Sequence, residues 1–77
     1  MKTDTAVIMS FHEHEIPGTW RINLKWQGNH EISDFKLDLL GEVLGCETET
    51  EDTGWAIVKP RGGVYIGETI PYESQNH

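Results

Sequence analysis

A single cysteine, Cys46, is all the thiol chemistry in the chain. That excludes an intramolecular disulfide, and with it the stapled scaffold of small secreted domains. A cytoplasmic setting is the expectation. Basic residues are also scarce: six Lys and Arg stand against 13 Asp and Glu, a formal net charge of -7. Direct binding to nucleic acid or to an anionic membrane requires basic surface, so neither partner is expected. Long apolar runs are missing too. The run near the N-terminus spans only residues 6–9, shorter than the core of a signal peptide and far from a membrane span. Aromatic residues are limited to three Trp, two Tyr and two Phe in 77 residues. They can cover a modest core, each burying roughly 150–250 Å². The chain therefore reads as a single small domain over residues 1–77, with 1–4 and 71–77 flexible. A core this small does not readily enclose a deep active-site pocket, which points to surface recognition rather than catalysis.

What the chain does have is acid concentrated in one third of its length. Residues 1–27 hold three acids and three bases, and residues 55–77 hold two of each. Between them, Glu31, Asp34, Asp38, Glu42, Glu47, Glu49, Glu51 and Asp52 face Lys36 alone. The whole net charge therefore sits in residues 28–54.

The flanking thirds carry the strand signals. Residues 5–12 are rich in apolar and β-favouring types. Pro17-Gly18 marks a turn. Over 19–27, Trp20, Ile22, Leu24 and Trp26 alternate with Arg21, Asn23, Lys25 and Gln27, which predicts a strand with an apolar and a basic face. Gly28-Asn29 is expected to close a hairpin. Residues 55–59 and 64–69 read as two more strands, joined as a hairpin by Pro60-Arg61-Gly62-Gly63. Trp55 and Tyr65 are then cross-strand neighbours.

Residues 33–44 admit two readings. Ser33 or Asp34 can cap a helix that Gly45 ends, with Leu37, Leu40 and Leu44 beside Phe35, Leu39 and Val43 on its apolar arc. Against it, 35–39 alternates as a strand, and Gly41 costs a helix roughly 1 kcal/mol. The helix accounts for more residues. The expected fold class is α+β: a small antiparallel sheet of about four strands with one helix packed on it, in the order β-β-α-β-β. The alternative is a small all-β barrel in which 33–50 supply two further strands.

Candidate chemistry is thin. His12 and His14 on a strand point the same way and offer two ligands to a transition metal, but a site needs a third and usually a fourth. Cys46, placed just past a helix C-terminus, is expected to be a buried or half-buried structural thiol. No nucleophile–base arrangement or phosphate-binding glycine loop is present, so no enzyme activity and no cofactor are expected. Alternating Glu47, Glu49 and Glu51 project from one side of an extended segment, and Asp34, Asp38 and Glu42 lie at spacings of four on the helix. Such charge either keeps a strand edge soluble or docks a basic protein.

The leading expectation is a small, acidic, non-enzymatic binding protein. It docks a basic partner through Asp34, Asp38, Glu42, Glu47, Glu49, Glu51 and Asp52, as an inhibitor or immunity-type accessory factor of bacterial or phage origin would. The alternatives are a metal- or ligand-binding protein using His12 and His14, and a structural homodimer paired through a strand edge, for which the weakly charged residues 5–9 are the candidate.

Overall fold

Alternation of apolar and polar residues sets the sheet. In the computed structural model, which describes residues 4–73, strand β2 (Trp20–Trp26) buries Ile22, Leu24 and Trp26 and turns Arg21, Asn23 and Lys25 to the opposite face. Strand β1 (Thr5–Glu13) lies antiparallel beside it and buries Ala6 and Ile8. A bulge between Ile8 and Ser10 then shifts its register. The turn joining them is closed by Thr19, whose hydroxyl donates to Ile16 O at 2.6 Å, with Gly18 at φ 83°. Strand β4 (Thr53–Pro60) pairs with the other edge of β2 and buries Ala56 and Val58. Strand β3 (Gly41–Thr50) forms a hairpin with β4, and the short β5 (Thr69–Pro71) pairs with Thr5–Val7 of β1. The order across the sheet is β3-β4-β2-β1-β5, antiparallel throughout.

The sheet curls into a half-barrel around Ile8, Ile22, Leu24, Ala56, Val58 and Ile70. Its open side is filled by the connection from β2 to β3, which contributes Ile32, Phe35, Leu37 and Leu40 to the core. This connection holds two one-turn 3-10 helices, Ile32–Asp34 and Leu37–Leu39. It also ties the two sides of the sheet together. Lys36 N–H donates to Pro71 O at 3.0 Å and Glu73 N–H to Asp34 O at 2.7 Å, so the connection pairs with the chain leaving β5. On its other flank, Ile32 N–H donates to the Thr48 hydroxyl of β3 at 2.9 Å. Trp26 packs against Phe35 with the ring centres 5.2 Å apart and the planes tilted by 38°.

The α+β expectation is corrected: the fold is nearly all-β, and the described residues contain 3-10 turns but no α-helix. Residues 33–44 divide between the connection and the start of β3. Gly41 decides this. Its φ is +143°, and a Cβ there would meet the backbone of Lys59, Pro60 and Arg61. Residue 41 is thus laid against β4, a contact unavailable to a helix packed on the sheet by its side chains. The apolar pattern follows the same logic: Phe35, Leu37 and Leu40 are buried, whereas Leu39 and Leu44 are 57% and 49% exposed. Residues 33–50 do not divide into two strands either, because β3 is the one strand among them.

Three local expectations fail for a shared reason, the limited number of strand edges. Gly28-Asn29 closes no hairpin, because both edges of β2 are taken by β1 and β4. Residues 64–69 do not pair with β4, because β2 and β3 flank it; the chain crosses to the far side and adds β5 to β1 instead. Tyr65 is accordingly exposed in the crossing loop and is no cross-strand neighbour of Trp55. Of the segments expected to be flexible, 1–3 and 74–77 lie outside the described residues. Asp4 and Tyr72 are joined by the Tyr72 N–H to Asp4 O bond at 3.0 Å. No helix among the described residues is long and apolar enough to cross a membrane.

Candidate functional site

The seven expected carboxylates do not form one face. They lie along and beside β3, in three groups. Glu42, Glu47 and Glu49 belong to the strand itself. Glu42 stands across from Lys59 and Glu47 across from Trp55 on the uncovered outer side of the sheet, and Glu49 lies in a second bulge between Thr48 and Thr50. The same side carries Arg21 and Lys25, and Arg21 makes an exposed ion pair with Glu49 at 3.6 Å while its guanidinium sits 5.0 Å from the Trp55 ring centre. Three acids therefore share that surface with three bases, and their fields largely cancel. Asp38, in the second 3-10 turn, forms its own group near Arg61, which donates to the Asp38 carbonyl at 3.1 Å.

Asp34, Glu51 and Asp52 make the third group, at the β3–β4 hairpin end. Asp34 is brought there by the first 3-10 turn, in which its carboxylate accepts the Glu31 N–H at 3.0 Å. Thr50 folds the hairpin: its hydroxyl contacts Asp52 at 2.9 Å and Thr53 at 2.6 Å. Trp26 anchors the turn from below, donating its indole N–H to Glu51 O at 2.9 Å. The two segments thus meet across an open groove of about 430 Å³, lined by Asn29, His30, Glu31, Asp34, Thr48, Thr50 and Glu51. Three carboxylates line it and no Lys or Arg does. Glu31 was not singled out in the sequence; its membership in the acidic third was the available signal.

His30 forms the groove's inner wall. Its ring nitrogens lie 3.4 Å from Asp4 and 3.6 Å from Asp34. Its ring packs 5.6 Å from Phe35 and 5.2 Å from Tyr72, so the wall is held in place by the connection and by the chain after β5.

The other candidates are separated. His12 is on β1, opposite Arg21, whereas His14 lies past the strand, with Nδ1 3.4 Å from the Thr19 hydroxyl. Among the described residues no three His, Cys, Asp or Glu side chains are grouped to hold a metal ion. Cys46 is exposed on β3, which corrects the expectation of a buried or half-buried thiol. The proposed dimer edge at residues 5–9 is occupied: Thr5–Val7 pair with β5, and Ile8 bonds Gly67 and Glu68 at 2.8 and 2.9 Å. Comparison with protein-family models, curated proteins and solved structures finds no match to this chain.

Proposed function

We propose that this protein is a small non-catalytic binding module that docks a basic partner protein at the hairpin end of β3. The single observation that carries this reading is the groove in which Glu31 and Asp34 from the first 3-10 turn meet Glu51 from the hairpin, with His30 at the wall and no Lys or Arg in the lining. Clustered carboxylates around an opening attract and orient a cationic group, raising association rate and specificity more than affinity. Glu47 and Glu49, on the other side of the strand, contribute little to this field because Arg21, Lys25 and Lys59 share that side. An inhibitor or immunity-type accessory role, in the cytoplasm, is the setting that suits such a module.

The test compares two triple variants of equal charge change. One carries Glu31→Gln, Asp34→Asn and Glu51→Gln; the other carries Glu13→Gln, Glu15→Gln and Glu68→Gln, exposed positions away from the groove. Capture of basic proteins from a lysate, followed across a salt gradient, is expected to fall steeply for the groove variant and little for the control. Equal capture by both variants would sink the reading and leave the acid as a means of keeping β3 soluble.

A further inference from the structure

Among the described residues no strand pairs with the outer edge of β3, and the register sets its backbone directions. Trp26 N–H donates to Asp52 O at 2.9 Å, so Trp26 turns its amide to β4. Amide directions alternate along an antiparallel strand. Leu24 and Ile22 therefore also face β4, and their partners Gly54 and Ala56 face β2. Trp55 and Ile57 then face β3, where they meet Glu47 and Gly45. Between and beyond these, Cys46 and Thr48 turn their N–H and C=O groups away from β4. Among the described residues no backbone group bonds to them. The stretch lies between the bulges at Leu44 and Glu49, so it is locally regular.

From this edge we infer that the basic partner contributes an extended segment that adds to β3 as a further strand, pairing with Cys46 and Thr48. The inference rests on the docking reading above and specifies how the partner binds. Backbone pairing supplies affinity and alternate side chains supply specificity in this mode. A residue of the added strand opposite Thr48 points toward the groove of Glu31, Asp34 and Glu51. Its neighbours point to the outer side, toward Glu47 and Glu49. Basic residues on the groove-facing side of the added strand therefore meet carboxylate, whereas on the outer side Arg21, Lys25 and Lys59 already offset Glu47 and Glu49. Charge also rejects the other natural occupant, a second copy of β3, because antiparallel pairing of two copies would bring their glutamates together.

The probe is a ten-residue synthetic peptide alternating Lys and Thr, titrated into the full chain by calorimetry. Binding is expected. N-methylation of alternate backbone amides should weaken it about tenfold, the effect of losing one or two net hydrogen bonds. Cys46→Pro removes only an outward-facing N–H and should weaken it similarly, while Cys46→Ala should not. Bound peptide should also slow alkylation of the exposed Cys46 thiol in the natural chain. Equal affinity for the methylated peptide, with no protection of Cys46, would overturn strand addition while leaving the acidic docking reading in place. No binding of either peptide at low salt would overturn both. A dimer of the chain alone that Cys46→Pro dissociates would put a second copy on the edge and refute the inference.

Discussion

Gly41→Ala separates the β3–β4 sheet edge from a helical arrangement of the same residues by the sign of its effect. In a helix over 33–44, replacing a mid-helix glycine with alanine would stabilise the protein by about 1 kcal/mol. In the sheet, the new Cβ would meet the Lys59 carbonyl, with Arg61 N at 2.8 Å and Pro60 Cα at 2.9 Å. All three are backbone atoms of β4 or its exit, so no side chain can swing away. The φ of +143° adds strain of about 1–3 kcal/mol for any residue with a Cβ, and overpacking a further 1–3 kcal/mol. The sum, roughly 2–6 kcal/mol, compares with a total stability of roughly 4–12 kcal/mol for a chain this long. Gly45→Ala is the control: the strand is the same, no positive φ is involved, and nothing lies within 4 Å of the added methyl. Urea unfolding followed by Trp fluorescence measures both. With m of about 1 kcal/mol/M, Gly41→Ala should lower the midpoint by about 2 M or more, and Gly45→Ala should move it by less than about 1 M. A Gly41→Ala midpoint at or above that of the parent would refute the β3–β4 contact and the sheet edge built on it.

Thr48→Val removes the acceptor for the N–H of buried Ile32, and an unsatisfied buried donor costs about 1–3 kcal/mol; an unchanged melting temperature would show that the connection is not held to β3 at this point. Glu49→Gln breaks the 3.6 Å pair with Arg21 and leaves the Arg21–Trp55 contact in place; both side chains of the pair are more than two-fifths exposed, so the cost should stay under about 1 kcal/mol at low salt and vanish at high salt. A larger, salt-independent loss would contradict the solvated outer side. Cys46 should react with one equivalent of a disulfide reagent in native buffer, since its side chain is exposed on the edge strand; a thiol that reacts only after denaturation would place that edge under cover.

Local pattern was enough where a strand's burial repeats every second residue. Ile22, Leu24 and Trp26 declare β2, and Ala56 and Val58 between Trp55, Ile57 and Lys59 declare β4. It failed for Leu37, Leu39, Leu40 and Leu44, whose spacing suits a helix arc and whose burial is set by what the connection touches. Phe35 stays inside because Trp26 and Tyr72 lie against it, at 5.2 and 6.0 Å between ring centres. Pairing partners were equally illegible. A Pro-Arg-Gly-Gly turn looks like a hairpin until β2 and β3 have occupied both edges of β4.

The candidate site divides along the same line. The sequence alone determined that the net charge lies in residues 28–54, because composition needs no partner. Asp34, which reads in the sequence as the cap of a helix, instead closes the first 3-10 turn by accepting the Glu31 N–H. Which carboxylates act together was decided only in three dimensions. A bulge at Glu49 breaks the uniform Glu47, Glu49, Glu51 row, Arg21 and Lys25 arrive beside it from β2, and the connection carries Glu31 and Asp34 to the hairpin end, opposite Glu51. Charge count is a property of the chain. The field it makes depends on distances between residues far apart in sequence, and those are fixed by strand order and by a glycine backbone pressed against β4.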